Sequence, residues 1–181
     1  MKRISVVTAS AVLIAATAAA AVNGNQFRRI REFLNGHKEV PVVSTTGKGS
    51  FSATINKEGT QIEYKLRYSG LEGTVTQAHI HVGPQQNTGG ISVWLCSNLA
   101  SPPTPAGVQA CPTDAAGGEV DGVITAVDVV GPTAQGFDPG EFEQLLDAIR
   151  AGLTYVNVHS SKFPGGEIRS QIEHDEHGGR N

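Results

Sequence analysis

The chain has 181 residues, of which 17 are acidic and 14 basic, and 39% are hydrophobic. The basic residues are scattered apart from the stretch RRIR at 28–31, and no aromatic residues alternate with them, which argues against nucleic-acid binding. A chain of this length is typical of one domain with its own hydrophobic core.

The first 21 residues predict a secretory signal peptide. Lys2 and Arg3 form a basic start, residues 4–16 are apolar and uncharged, and alanines at 19–21 suit cleavage near Ala21. We therefore expect an exported protein, periplasmic or extracellular, whose mature chain has no membrane span. Residues 22–32 are polar and basic without periodicity and predict a flexible arm.

Alternating apolar and polar residues predict β-strands across residues 33–172. The stretches GKGSFSATINKEG and TQIEYKLRYSGLEG indicate a hairpin that turns at Glu58-Gly59. The further strands are predicted in VTQAHIHVG, GGISVWLCS, GEVDGVITAVDVVGP, TYVNVHS and GEIRSQI, the last two forming a closing hairpin. This pattern is typical of an antiparallel sandwich or barrel. Residues 173–181 are polar and predict a disordered tail.

One segment, DPGEFEQLLDAIRAGLT, has helical periodicity instead. Asp138 is the predicted N-cap, Pro139 takes the first helical position, and Glu141 completes the spacing of a capping box. Gly152 is placed to end the helix. The apolar face is predicted from Phe142, Leu145, Leu146, Ile149 and Leu153.

Cys96 and Cys111 enclose the Pro-rich stretch SNLASPPTPAGVQA. In an exported chain two cysteines favour a disulfide bond, which would tie down this loop. Two free thiols or a soft metal pair are the alternatives, and an oxidising compartment disfavours both.

His79 and His81 are two apart on a predicted strand, so their side chains point to one face. His159 shares a face with Tyr155 and Asn157 on another predicted strand. If the two strands approach each other, three imidazoles meet, and imidazole is a ligand of copper, zinc, iron and nickel. The alternative is a structural polar cluster in which the histidines hydrogen-bond to Asn157 or Ser160.

Other histidines are weaker candidates. His37 is the only further histidine within the predicted domain and is a possible fourth ligand. His174 and His177 lie in the charged tail, where the Gly-Gly that follows disfavours the helix their spacing would need, so we do not expect metal binding there.

Four stretches together resemble the CHRD (chordin) domain family: LNGHKEVPVVSTTGKGSFSATIN, AHIHVGPQQNTGGISVWL, FEQLLDAIRAGLTYVNVHS and PGGEIRSQI. The resemblance implies an all-β fold, an antiparallel immunoglobulin-like Greek-key β-sandwich over residues 33–172, to which the residues add one short amphipathic helix. It implies no settled biochemical activity. His37 and the loop between the cysteines depart from the family pattern.

A shorter resemblance is to the copper site of the Cu/Zn superoxide dismutases, in which an H-x-H strand is followed by V-x-V-H and a Gly-rich turn leading to an arginine. It implies that His79, His81 and His159 are copper ligands and that Arg169 guides an anion. No zinc-binding loop is visible, so this resemblance supports a copper-only site.

A buried arginine needs a partner, so we expect Arg169 to form a structural ion pair with Glu39 or Glu167. Trp94 is expected in the core. The leading hypothesis is an exported protein that binds copper through His79, His81 and His159 and meets other envelope or extracellular proteins. The alternatives are a copper-only superoxide dismutase-like enzyme, with Arg169 as its catalytic anion guide, and a metal-free structural or adhesion module.

Overall fold

The computed structural model describes residues 29–101, 103–114 and 116–173. The predicted signal peptide, residues 22–28 of the predicted arm, and tail residues 174–181 with His174 and His177 lie outside the described residues. Within those residues, no helix has the length and apolar character needed to cross a bilayer.

The described chain is mostly antiparallel β-sheet with one short α-helix, which confirms the predicted all-β class. The strands are β1 (Arg29–Asn35), β2 (Lys48–Ile55), β3 (Ile62–Ser69), β4 (Val75–Val82), β5 (Gly90–Ser97), β6 (Gly118–Ile124), β7 (Thr154–Ser160) and β8 (Ile168–Ile172). The helix α1 spans Phe142–Arg150, and short 3-10 turns lie at Gly36–Lys38, Ala126–Asp128 and Thr133–Gln135.

All eight strands belong to one sheet, in the order β5-β4-β7-β8-β1-β2-β3-β6. The sheet curls until its two edges approach each other. Val93 of β5 forms a bridge with Val129, just beyond β6, and the Tyr64 hydroxyl of β3 donates to the carbonyl of Leu95 at 3.1 Å. The expected sandwich is therefore a single, nearly closed sheet whose two halves enclose one core.

The strand predictions were most successful where the apolar residues alternate clearly. β2 and β3 pair along their whole length, from Lys48 opposite Ser69 to Ile55 opposite Ile62. Their inward side chains pack in one core cluster with inward residues from both halves of the sheet. The closing hairpin is also present, as β7 and β8.

The prediction of a flexible arm was wrong for residues 29–32, which belong to β1. Ile30 and Leu34 are buried in the core, and β1 pairs with β2 from Arg29 to Asn35. Arginines at 29 and 31 occupy exposed positions of the strand, and their charge conceals the alternation in the sequence.

The helix begins later than predicted. Gly140 has a φ of 89°, outside the helical region, so the first helical residue is Phe142 and the N-cap is Glu141. The side-chain contact expected of the capping box is still present: the Glu141 carboxylate accepts a hydrogen bond from the backbone N–H of Asp138 at 2.8 Å. The apolar face is buried as expected from Phe142 to Ile149, whereas Leu153 is 44% exposed.

The predicted disulfide between Cys96 and Cys111 is present, and both residues are buried. Asn98 adds hydrogen bonds beside the disulfide: its amide donates to the carbonyls of Val75 and Cys111, and its side-chain oxygen accepts from the N–H of Cys111. The loop between the cysteines is thus fixed against the end of β5.

Replacing both cysteines, as Cys96→Ala with Cys111→Ala, is expected to lower the free energy of unfolding. The bond joins residues 15 apart in sequence, and a loop of that length corresponds to about 3 kcal/mol in the unfolded chain. Urea unfolding followed by circular dichroism measures the loss. Reduced wild type is the matched control and should lose a similar amount; an unchanged midpoint in both would contradict the prediction.

Candidate metal centre

The three predicted histidines meet on the face of the sheet that points away from the core. β4 lies between β5 and β7, and in its pairing with β7 His79 is opposite Asn157 and His81 is opposite Tyr155. Ala78 and Ile80 point to the other face, into the core cluster. The period of two read from the sequence therefore separates the core from the histidines.

The rings form a compact triangle. Ring centroids lie 5.2 Å apart for His79 and His81, 5.0 Å for His79 and His159, and 6.3 Å for His81 and His159. One ligand nitrogen from each ring lies within 4.8 Å of the other two. All three residues are buried, with exposed fractions of 1%, 7% and 6% for His79, His81 and His159.

Backbone carbonyls orient two of the rings. His81 Nδ1 is 2.9 Å from the carbonyl oxygen of Gly89, and His159 Nδ1 is 2.9 Å from that of Pro164. A carbonyl only accepts, so each Nδ1 carries the hydrogen and each Nε2 carries a lone pair when the ring is neutral. Metal-binding histidines are usually held in this way by an acceptor on the other ring nitrogen.

The ring nitrogens that do not donate to a backbone carbonyl have few hydrogen-bond partners within the protein. His159 Nε2 lies 3.2 Å from His79 Nδ1 and 3.1 Å from the Asn157 side-chain oxygen, which also carries lone pairs. The Nε2 atoms of His79 and His81 are buried without any hydrogen-bond partner. The Nδ1–H tautomer of His79 can donate to His159 Nε2. A cation among these nitrogens would replace that hydrogen bond and accept the lone pair of His81 Nε2.

Burial keeps the imidazoles neutral. Desolvation lowers the pKa of His79 to about 2, and the neighbouring His159 and His81 add to this effect. Desolvation also lowers the pKa of His81 to about 4 against the opposing hydrogen bond to Gly89, and it lowers the pKa of His159. Since a metal binds the unprotonated nitrogen, protons compete little for these rings near pH 7.

Two aromatic rings form walls of the cluster. Trp94 of β5 meets His79 edge to face with centroids 4.3 Å apart, and Tyr155 stacks parallel to His81 at 4.6 Å. Trp94 is only half-buried and is not part of the core cluster, so its predicted core position was wrong. It lies on the outward face of β5 because its neighbours Val93 and Leu95 face the core.

A buried carboxyl group lies next to this cluster. Glu39 is 5% exposed, and its neighbours include Asn157, which hydrogen-bonds to it, and Arg169, which attracts it. Gly166 makes this approach possible: at its φ of 127°, an added Cβ would lie 2.5 Å from a Glu39 carboxylate oxygen. Desolvation raises the pKa of Glu39 to about 7, although Arg169 opposes the shift.

Arg169 does not form the expected ion pair with Glu39 or Glu167 within the described part of the chain. Its guanidinium instead donates to the carbonyls of Pro84, Gln85 and Asn87, at 3.2, 3.2 and 3.0 Å. The β4–β5 loop curls over the arginine, which is 1% exposed. A guanidinium enclosed in this way does not face an anion arriving from solvent.

Glu167 does not pair with Arg169, and His37 does not join the other three histidines. Glu167 is buried and accepts hydrogen bonds from the Thr45 hydroxyl and the Glu72 N–H, both at 2.6 Å, so it fixes two loops. His37 lies on an exposed 3-10 turn and is absent from the ligand group found among the described residues.

Residues 31–172 match the family model for the CHRD domain. The chain belongs to the CHRD domain family. Searches among curated proteins and among solved structures returned no match.

The CHRD match spans all three histidines, Glu39 and Arg169, together with seven complete strands and most of β1. CHRD domains are typical of secreted and extracellular proteins. The family match names no activity for the cluster.

Glu39→Gln is expected to change how stability depends on pH in the metal-free protein. Between pH 4.5, the usual pKa, and about 7, folded wild type holds a proton on Glu39 that the unfolded chain releases. Wild type should therefore lose stability relative to Glu39→Gln as pH rises through this window, by about 3 kcal/mol at most.

Urea unfolding of both proteins at several pH values tests this difference, because the contribution of the histidines is common to both. Glu63→Gln removes an exposed carboxylate on β3 and serves as the matched control. A stability difference between Glu39→Gln and wild type that stays constant from pH 4.5 to 7.5 would refute the expected shift.

Proposed function

We propose that this CHRD protein binds one copper ion through His79, His81 and His159. The observation that carries the proposal is the buried triangle itself: three neutral imidazoles offer ligand nitrogens within 4.8 Å of one another. The distance of 3.2 Å between His79 Nδ1 and His159 Nε2 suits two ligands of one ion, since bonds of about 2.0–2.1 Å at a tetrahedral angle separate ligand nitrogens by about 3.4 Å.

The metal-free alternative is less favourable for these residues. A purely structural cluster leaves the buried Nε2 atoms of His79 and His81 without a partner, and each unsatisfied polar atom costs about 1–3 kcal/mol. The three rings nevertheless sit on paired strands whose register is fixed by the core. An ion that accepts the lone pair of His81 Nε2 would remove this cost at His81.

Copper is favoured over other metals by the chemistry of the ligands. Imidazole binds copper, zinc and nickel, and for a given site the affinity of divalent ions is greatest for copper. Within the described residues, the ligand group contains histidines alone and no carboxylate. Copper held there would supply a one-electron redox centre.

Binding rather than enzymatic turnover is the function that the surroundings favour. The superoxide dismutase-like alternative requires Arg169 to attract an anion, yet its guanidinium is buried under three carbonyls. The proposed role is therefore to hold or pass on copper.

The proposed location is outside the cytoplasm, in the periplasm or the extracellular space. The family, the disulfide bond and the basic-apolar start of the sequence support export. Its proposed partners are the metal ion and other exported proteins that supply or receive it.

Titration of the full chain with Cu(I), Cu(II) and Zn(II) tests the proposal, by competition with chelators and by electron paramagnetic resonance for Cu(II). We expect one copper per chain, nitrogen hyperfine coupling, and a loss of affinity greater than about 100-fold in His81→Ala and in His159→Ala, because each removes a ligand. Copper at 1,000 times its Kd should also raise the free energy of unfolding by about 4 kcal/mol.

His37→Ala, on the exposed 3-10 turn, is the matched control and should bind like wild type. Tighter binding of zinc than of copper would overturn the choice of metal. Folded wild type that binds no ion tightly, or binding abolished by His37→Ala but not by His81→Ala, would overturn the site.

A further inference from the structure

Arg169 places a positive charge inside the protein without a carboxylate in direct contact in the described part of the chain. It is 1% exposed and forms no ion pair with a carboxylate among the described residues. The carbonyls of Pro84, Gln85 and Asn87 solvate it as dipoles without cancelling its charge. A guanidinium stays protonated in proteins, so this charge is permanent.

The charge is one aromatic ring away from the histidine cluster. The guanidinium carbon of Arg169 lies 3.4 Å from the centroid of the Tyr155 ring, and that ring lies parallel to His81, with 2° between the planes and 4.6 Å between centroids. Since β7 lies between β4 and β8, Tyr155 stands between the arginine and the histidine.

Tyr155 also shares a hydrogen-bond partner with His81. Its hydroxyl accepts from the N–H of Gly89 at 3.1 Å, and the Gly89 carbonyl accepts from His81 Nδ1 at 2.9 Å. The loop that wraps Arg169 is thus the loop that orients His81. Arg169, Tyr155 and His81 form one stack, so the arginine and the histidine cluster are connected through the ring of Tyr155.

We infer that Arg169, acting through Tyr155, makes the histidine centre prefer Cu(I) to Cu(II). The inference rests on the proposed function. Cu(II) brings one more positive charge than Cu(I) to three neutral ligands, and a fixed cation nearby in a buried, low-dielectric setting disfavours the more highly charged ion. Arg169 is in this view a positioning residue that sets the charge of the site without touching the metal.

One nearby group opposes this effect. Glu39 is the carboxyl group that interacts electrostatically with Arg169, and it reaches the cluster through Asn157. When ionised it favours the higher metal charge. Replacing Arg169 and replacing Glu39 should therefore change the ratio of Cu(I) to Cu(II) affinity in opposite directions. Purely structural roles for the two residues would not produce opposite changes.

The measurement is the ratio of Cu(I) to Cu(II) affinity at pH 8, from chelator competition for each ion, together with the reduction potential of the copper-loaded full chain. Arg169→Gln should lower the ratio about tenfold or more, as expected for unit charges about 10 Å apart at an effective dielectric of about 20. Each tenfold change lowers the potential by about 59 mV for a one-electron couple. Arg169→Lys keeps the charge and should keep most of the ratio, and Glu39→Gln should raise it.

Arg31→Gln is the matched control, because it removes a positive charge from an exposed position of β1; its ratio should stay within about twofold of wild type. If Arg169→Gln does not fold, the same ratio is measured for Arg169→Met, whose side chain is of similar length, carries no charge and needs no hydrogen-bond partner; a ratio equal to that of wild type would overturn the inference.

Equal losses of affinity for both ions in Arg169→Gln, with no change in Glu39→Gln, would overturn the inference while leaving the copper site intact. Wild type that binds neither copper ion would overturn both the inference and the proposed function.

Discussion

The antiparallel pairing of β4 with β7 determines where every polar group of the candidate site lies. Its register sets His79 opposite Asn157 and His81 opposite Tyr155, while Ile80 and Val156, the pair between them, face the core. A slip of one residue would exchange the two faces and bury imidazoles where aliphatic side chains now pack. The packing of the hydrophobic core therefore fixes the positions of the histidines on the other face of the same strands.

A buried polar face needs partners, and in this protein the loops provide them. The carbonyl of Gly89 meets His81, that of Pro164 meets His159, and three carbonyls of the β4–β5 loop surround Arg169. Each side chain that donates is matched by an oxygen that can only accept. Because Nδ1 of His81 and of His159 donates to a carbonyl, Nε2 of each ring is the nitrogen that a metal ion would use.

Much of this arrangement follows from residue order alone. The period of two predicted the strands and the shared face of His79 and His81, and the repeated spacing of helical residues predicted α1. Sequence reasoning missed the environment of Arg169, because the carbonyls that solvate it belong to a loop of no distinctive composition. It misplaced Trp94 because hydrophobicity does not tell which face of β5 a side chain takes. It also missed the start of β1, where arginines occupy the exposed positions of a strand that is otherwise ordinary.

The strand order has a consequence for the timing of assembly. β8, the last strand described, lies in the middle of the sheet between β7 and β1, and His79 and His159 are 80 residues apart in sequence. The sheet cannot close until nearly the whole domain has been synthesised, and pairings between such distant segments form slowly. In a chain that crosses a membrane unfolded, the three imidazoles come together only on the far side. If the protein is exported and binds copper as proposed, it would take the ion from the compartment where it works and not from the one where it is made.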